Sequence, residues 1–265
     1  MDTLLDIQGL SAGYGPVPVL HGVDCTVRTG ELWAVLGPNG TGKSTLLRGV
    51  LGGLPWTRGG IQLLGRERRE WEARALAQQV AWVPQTFEAA EGFSGLELVL
   101  MGRSPHLGLW GLTSASDEAL AREVLAELGV AYLAERSCEA MSGGERRMLL
   151  LARGLAQQPK LLLLDEPTAF LDVAHQVGAL ERVRMRVDAG LGAVAVLHDV
   201  NLAAAFATHV LLLRDGRVLA SGPATDVLRR ERLEALYGVP MEMASAPSGA
   251  RLFAPRAGPG RVSRT

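Results

Sequence analysis

Lysine is nearly missing from this sequence: of 27 basic residues, all but Lys43 and Lys160 are arginine. Cysteine is as scarce, with Cys25 and Cys138 far apart. Two isolated thiols make neither a disulfide framework nor a zinc site, and they read as buried or incidental. Net charge is lacking too. With 27 basic against 28 acidic residues the formal charge is −1, so no overall field draws the chain to nucleic acid or acidic lipid. A general DNA- or RNA-coating protein is excluded, and an anionic ligand has to be held by a local site. No apolar run approaches the roughly 20 residues of a membrane-spanning helix; the longest, residues 161–164 and 193–197, are strand-sized. The opening Met1-Asp2-Thr3 is acidic where a signal peptide would be basic, and no apolar export segment follows, so the chain reads as cytosolic.

What is present is apolar and ordered. At 265 residues and 48% hydrophobic, the chain is long enough for one large domain or two small ones with an ample core. Short apolar runs at residues 32–36, 80–83, 161–164 and 193–197 alternate with longer helix-period segments, the pattern of an α/β domain. They lead into Gly37-Pro38-Asn39-Gly40, Pro84-Gln85, Asp165-Glu166 and His198-Asp199, so polar or glycine-rich chemistry collects where strands end, the ligand-binding edge of an open α/β sheet. Residues 86–159 lack strand signals and read as a helical insertion. Within it Ser114-Ala115-Ser116-Asp117 starts a helix whose Leu120, Val124, Leu125 and Leu128 form a core-packing stripe before Gly129. Residues 209–213 and 218–220 read as a hairpin around Asp215-Gly216. From Pro255 onward the sequence reads as a frayed basic tail.

Gly37-Pro38-Asn39-Gly40-Thr41-Gly42-Lys43-Ser44 fits the phosphate-loop pattern G-x-x-x-x-G-K-[ST], between an apolar strand and a segment, residues 44–50, that can be helical. Glycines let the backbone N–H groups turn inward, and the helix start adds its positive dipole end, so a polyphosphate is favoured there. Lys43 reaches the β- and γ-phosphates, Ser44 ligates Mg²⁺, and Thr41, Gly42 and Thr45 add hydrogen bonds to phosphate oxygens. A compact ammonium on a flexible stem suits a loop that closes tightly around phosphates; a planar guanidinium does not.

The run at residues 161–164 ends in two carboxylates with different tasks: Asp165 to hold Mg²⁺ through water, Glu166 to orient and deprotonate the attacking water. His198 is placed to contact the γ-phosphate and the water, and Gln85 to sense Mg²⁺ or the water. Alone, either is as readily structural. In the order Lys43, Gln85, Asp165-Glu166, His198, with Met141-Ser142-Gly143-Gly144-Glu145 a little over twenty residues before Asp165, the chain resembles the ATP-binding cassette ATPases. The resemblance runs from about Leu5 to Pro255. It implies a P-loop NTPase cassette fold, α/β with a mixed sheet core and an inserted helical subdomain: one domain over residues 1–255, its nucleotide-binding core formed by 1–85 and 160–240, its helical signature subdomain by 86–159, and a flexible tail over 256–265.

The same resemblance implies that Ser142, Gly143, Gly144 and Glu145 bind the γ-phosphate of ATP held by a second subunit, that Asp172 lies in the loop crossing that interface, and that Tyr14 of Gly13-Tyr14-Gly15 stacks on adenine. A homodimer follows from one signature in one cassette. Met141, Glu145 and Phe170 depart from the usual leucine, glutamine and small residue, and none of the three removes a catalytic group. The segments around Met101-Gly102-Arg103, Asp172-Val173-Ala174-His175-Gln176, His198-Asp199-Val200-Asn201-Leu202 and Leu236-Tyr237-Gly238-Val239-Pro240 look like the ATPases of ferric siderophore, haem and cobalamin importers. That branch implies integral-membrane permease partners, indirectly a substrate-binding protein, a peripheral place on the cytoplasmic face of the inner membrane, and no nucleic acid. Phe93, Met101, Arg103 and His106 are candidates for docking the permease, although ordinary packing or helix capping accounts for any one of them as readily. A manganese or zinc importer ATPase and a non-transport cassette protein are the alternatives.

Overall fold

A computed structural model describes residues 2–15, 17–86, 92–108, 111–247 and 249–256. Strands β1 (Thr3–Ala12) and β2 (Leu20–Arg28) open the chain, and β3 (Leu32–Leu36) follows. Next come α1 (Lys43–Leu51), β4 (Trp56–Leu63), β5 (Arg66–Glu67), α2 (Ala73–Ala77) and β6 (Val80–Val83). The elements of the segment beyond are helices, α3 (Gly95–Leu100), α4 (Ala115–Glu127) and α5 (Gly143–Ala156), joined by 3₁₀ turns and loops. The chain then returns to β7 (Leu161–Asp165), α6 (Val173–Asp188), β8 (Gly192–Val196), α7 (Val200–Phe206) and β9 (His209–Arg214). It closes with β10 (Arg217–Pro223), α8 (Ala224–Val227), α9 (Arg230–Tyr237), β11 (Met241–Ser245) and β12 (Arg251–Pro255).

Two main sheets result. One is six-stranded in the order β10-β9-β3-β8-β7-β6, parallel except for the β10 edge. All four expected apolar runs lie in it side by side. Their strands β3, β7 and β8 are buried at every residue, as expected of strands covered on both faces. The other sheet, β2-β1-β4-β5, is antiparallel, and its alternating side chains pack on α1. Leu46, Leu47 and Val50 of α1 join Leu5, Leu10, Leu20 and Ile61 in this core. On the opposite face the second core joins the helical segment to the parallel sheet through Leu149, Leu151, Leu155, Leu162 and Leu180.

The expected α4 begins at the Ser114 cap, with Asp117 completing a reciprocal capping box. Val124, Leu125 and Leu128 of its stripe are buried, and Leu120 packs partly buried against the same core. The β9–β10 hairpin turns at Asp215 and Gly216, with φ of 50° and 72°, the left-handed pair of a type I′ turn. The chain end differs from expectation. Pro255 closes β12, and the Arg256 N–H donates to the Pro240 carbonyl at 2.9 Å, so strand pairing carries the order past the point where basic composition suggested fraying. Residues 257–265 of the expected tail lie outside the described residues. Both cysteines are free; burial pushes the Cys25 thiol up to about 12.

Candidate active site

The loop from Gly37 to Lys43 leaves buried β3 and turns straight into α1. At Gly37 a Cβ would lie 2.1 Å from the Leu213 carbonyl oxygen of the neighbouring β9, so only glycine fits the approach of loop to sheet. Gly42, at φ 99°, caps α1 in a conformation that L side chains rarely adopt. The loop therefore delivers unpaired helix N–H groups beside the sheet edge. Thr41 Oγ1 donates to the Pro38 carbonyl at 2.9 Å. Lys43 Nζ donates to the carbonyls of Gly37 (2.8 Å) and Pro38 (2.9 Å). Burial holds the Lys43 ammonium below its ordinary pKa, and the Glu166 and Asp165 carboxylates oppose that shift.

Asp165 closes β7 and is buried; Ser44 Oγ at the start of α1 donates to its Oδ1 at 2.9 Å. Burial raises the Asp165 carboxyl above its usual value, and the Ser44 hydroxyl pulls it back. Glu166, the next residue, takes φ 52°, a left-handed backbone that costs a non-glycine residue about 1–3 kcal/mol and recurs at functional sites. Its two oxygens are held separately. Gln85 Nε2, just past β6, donates to Oε2 at 2.8 Å, and His198 Nε2, just past β8, lies 2.7 Å from Oε1. Three strand ends thus bring Gln85, Glu166 and His198 together beside the loop. A cleft of about 530 Å³ is lined by these three with Tyr14, Asn39, Gly40, Gly42, Lys43, Ser44 and Thr45. Tyr14 is exposed, and its hydroxyl accepts from Arg48 Nη1 at 3.1 Å.

The glycines at 143 and 144 lie elsewhere. Ser142 caps α5: its hydroxyl accepts from the Glu145 N–H at 3.2 Å, and Glu145 Oε2 accepts from the Ser142 N–H at 2.7 Å. Glu145 also accepts from Arg136 Nη1 at 2.8 Å. The Ser142 bonds lead in holding its carboxyl below the usual range. The acidic departure at this position is locally a capping residue. With Phe170, Asp172 and His175, these residues line a second cavity of about 600 Å³ that shares no lining residue with the first. Asp172 caps α6, accepting from the His175 N–H at 2.9 Å, and its Oδ1 lies 2.8 Å from His175 Nδ1.

Two of the four candidate docking residues are engaged inside their own subdomain. Arg103 Nε meets Asp117 Oδ1 at 2.8 Å and its Nη1 donates to the Ala156 carbonyl at 2.9 Å, while His106 Nε2 lies 2.9 Å from the Gln157 carbonyl oxygen. Met101 packs partly buried against the helical core, and Phe93 is exposed.

Sequence reasoning missed Arg147. It sits on α5, is 3% exposed, and donates to the carbonyls of Pro84, Gln85, Asp165 and Glu166. The signal was present in the helical period: Arg147 shares a face with Leu150 and Leu151, where an arginine is out of place on an apolar stripe.

Known proteins are similar to this chain along most of its length. The ABC transporter family profile matches residues 20–169. The hemin import ATP-binding protein HmuV of Streptomyces coelicolor is 45% identical over 259 residues, covering 97% of this chain and 92% of its own. The cobalamin import ATP-binding protein BtuD of Halobacterium salinarum is 38% identical over 245 residues, 92% of this chain and 61% of its own. Among solved structures, a chain of a metal-chelate type ABC transporter in an inward-facing conformation superposes with a TM-score of 0.84 at 31% identity, covering 97% of this chain and 98% of that one. The chain belongs to the ABC transporter family, as one of its ATP-hydrolysing cassettes.

Proposed function

We propose that this cassette powers import of hemin or a related metal chelate such as a ferric siderophore or cobalamin, acting as a homodimer beneath a separate membrane permease fed by a substrate-binding protein. The observation that carries the hydrolytic part is Glu166, held between Gln85 and His198 beside the loop at residues 37–45. The relatives named for hemin and cobalamin import support the choice of cargo. Among the described residues no helix is long and apolar enough to cross a membrane. In the proposed assembly the permease spans the bilayer and the cassette lies against its cytoplasmic face.

In this reading the loop N–H groups and Lys43 bind the β- and γ-phosphates, Asn39, Gly40, Thr41 and Thr45 close around them, and Tyr14 stacks on the adenine. Ser44 and Asp165 present a hydroxyl and a carboxylate oxygen 2.9 Å apart, a hard donor pair that suits Mg²⁺, with Gln85 nearby. Bound there, Mg²⁺ would neutralise phosphate charge. Glu166 takes a proton from the attacking water, which Gln85 and His198 orient, and Ser142, Gly143 and Gly144 of the second copy, with Asp172 at the interface, complete the γ-phosphate site.

In vesicles holding the permease and this cassette, ATP should drive hemin uptake, and Glu166→Gln should lower both uptake and ATPase turnover by about 10²–10⁴-fold while leaving ATP affinity nearly unchanged. Wild-type turnover in that variant would remove Glu166 from the role of base. Uptake of Mn²⁺ or Zn²⁺ in place of hemin would reassign the cargo.

A further inference from the structure

We infer that Arg147 is a positioning residue for hydrolysis: it locks the backbones that carry Gln85 and Glu166 into one frame and ties that frame to the start of α5. The guanidinium lies between the ends of β6 and β7. Nη1 donates to the Pro84 carbonyl at 2.6 Å and the Gln85 carbonyl at 2.9 Å, while Nη2 donates to the Asp165 carbonyl at 2.6 Å and to the Glu166 carbonyl. All four Nη hydrogens are thus used on main-chain oxygens, two on each strand end, and among the described residues the buried Nε has no partner. A planar fork with donors on two sides can bridge two strand ends in this way; an ammonium radiating from one point cannot match it.

The sheet ladder does not do this job. Pairing of β6 with β7 ends at Val83 and Leu164, and pairing of β7 with β8 ends at Asp165 and Val196. Beyond those residues the chain leaves the sheet on both sides, and Glu166 holds its left-handed φ of 52°. The Gln85–Glu166 side-chain bond at 2.8 Å therefore depends on how far apart two unpaired strand extensions stand, and the Arg147 bonds fix that distance. A shift of an ångström there is enough to misplace a base.

Burying a guanidinium among neutral carbonyls is a costly way merely to fill a core. Here the charge also lies near the Asp165 and Glu166 carboxylates and moderates their mutual repulsion. Arg147 is one helical turn beyond Gly143 on α5, so the residues proposed to meet the second copy's nucleotide and the residues proposed to act on water share one rigid element. The inference rests on the reading of Glu166 as the base.

The test is steady-state hydrolysis by the full chain, with ATP affinity and thermal unfolding followed alongside. Arg147→Gln should lower kcat by about 10- to 100-fold with KM changed by less than about threefold, and Arg147→Lys should recover part of the loss. In the Glu166→Gln background the Arg147→Gln change should add little. Wild-type kcat in Arg147→Gln, a rise in KM that matches the fall in kcat, or a full multiplicative loss on top of Glu166→Gln would each overturn the inference. If Arg147→Gln fails to fold, Arg147→Lys decides: it keeps charge and stem, so a several-fold fall in kcat at constant KM supports the clamp and wild-type kcat refutes it. Glu166→Gln alone reports on the base, so failure of that reading is seen separately.

Discussion

Lys43 is one of two lysines in a chain that otherwise uses arginine, and its surroundings show why the exception stands where it does. Its ammonium reaches two loop carbonyls, Gly37 and Pro38, from a buried position whose desolvation already disfavours charge. A guanidinium is larger, planar and fixed in its donor directions, so it cannot occupy the same concavity without displacing the loop, and Gly37 has no room to move towards β9. Lys43→Arg should therefore weaken ATP binding by about tenfold or more, measured by nucleotide titration, with little loss of thermal stability. Unchanged ATP affinity in that variant would mean the loop is more forgiving than its packing shows. Neighbouring Glu166 shows the opposite economy: its side chain is ordinary, and what marks it is a backbone held at φ 52°.

At the scale of single elements, side-chain caps mark where the α-helices of the helical segment begin. Helix α4 starts at a Ser114–Asp117 box that is also anchored from outside, because Arg103 donates to Asp117. The Ser114 hydroxyl first, then Arg103, then the Ser114 N–H, hold the Asp117 carboxyl below the usual carboxylate range. A carboxyl whose folded pKa is depressed adds stability that is fully present above its unfolded pKa and is lost as pH falls through the folded one. The stability gap between wild type and Asp117→Asn should thus be constant above about pH 5 and shrink on acidification below about pH 4, read from denaturant unfolding at a series of pH values. A gap independent of pH would show that the ion pair with Arg103 contributes nothing through charge. Helix α5 uses the same device with Ser142 and Glu145, so the element proposed to meet a neighbour's phosphate starts with its first turn already ordered.

For the whole molecule, the telling fact is that the two cavities share no lining residue. In the proposed homodimer the phosphate loop in one cavity and glycines 143 and 144 in the other act as two half-sites that join head to tail. Beside the second cavity Phe170 is 81% exposed at φ 66° and Val173 is 76% exposed, apolar surface of the kind that a partner covers. Hydrolysis per chain should rise with protein concentration in the dilute range. Phe170→Asp should shift that rise to higher concentration while leaving ATP affinity of the single chain within about twofold, as followed by sedimentation and ATPase titration. A specific activity independent of concentration, together with a monomer by sedimentation, would count against the dimer.

By itself the sequence determined the four apolar strand runs of an α/β sheet, the helical character expected over residues 86–159 as far as these are described, the hairpin at Asp215-Gly216 and the loop at residues 37–45. Each is written locally, in a run of apolar residues, a helical period, a turn dipeptide or a glycine pattern. The antiparallel sheet β2-β1-β4-β5 was not legible as such, because its mixed side chains become a pattern only when strands far apart in the chain are paired and packed on α1. Tertiary structure alone decided that Gln85 and His198 each contact Glu166 directly, on separate oxygens, that Arg103 pairs with Asp117, and that Arg147 bridges two strand ends from a third element. These contacts join residues separated by tens of positions, and their distances depend on how strands are ordered in the sheet, which no local pattern of side chains encodes.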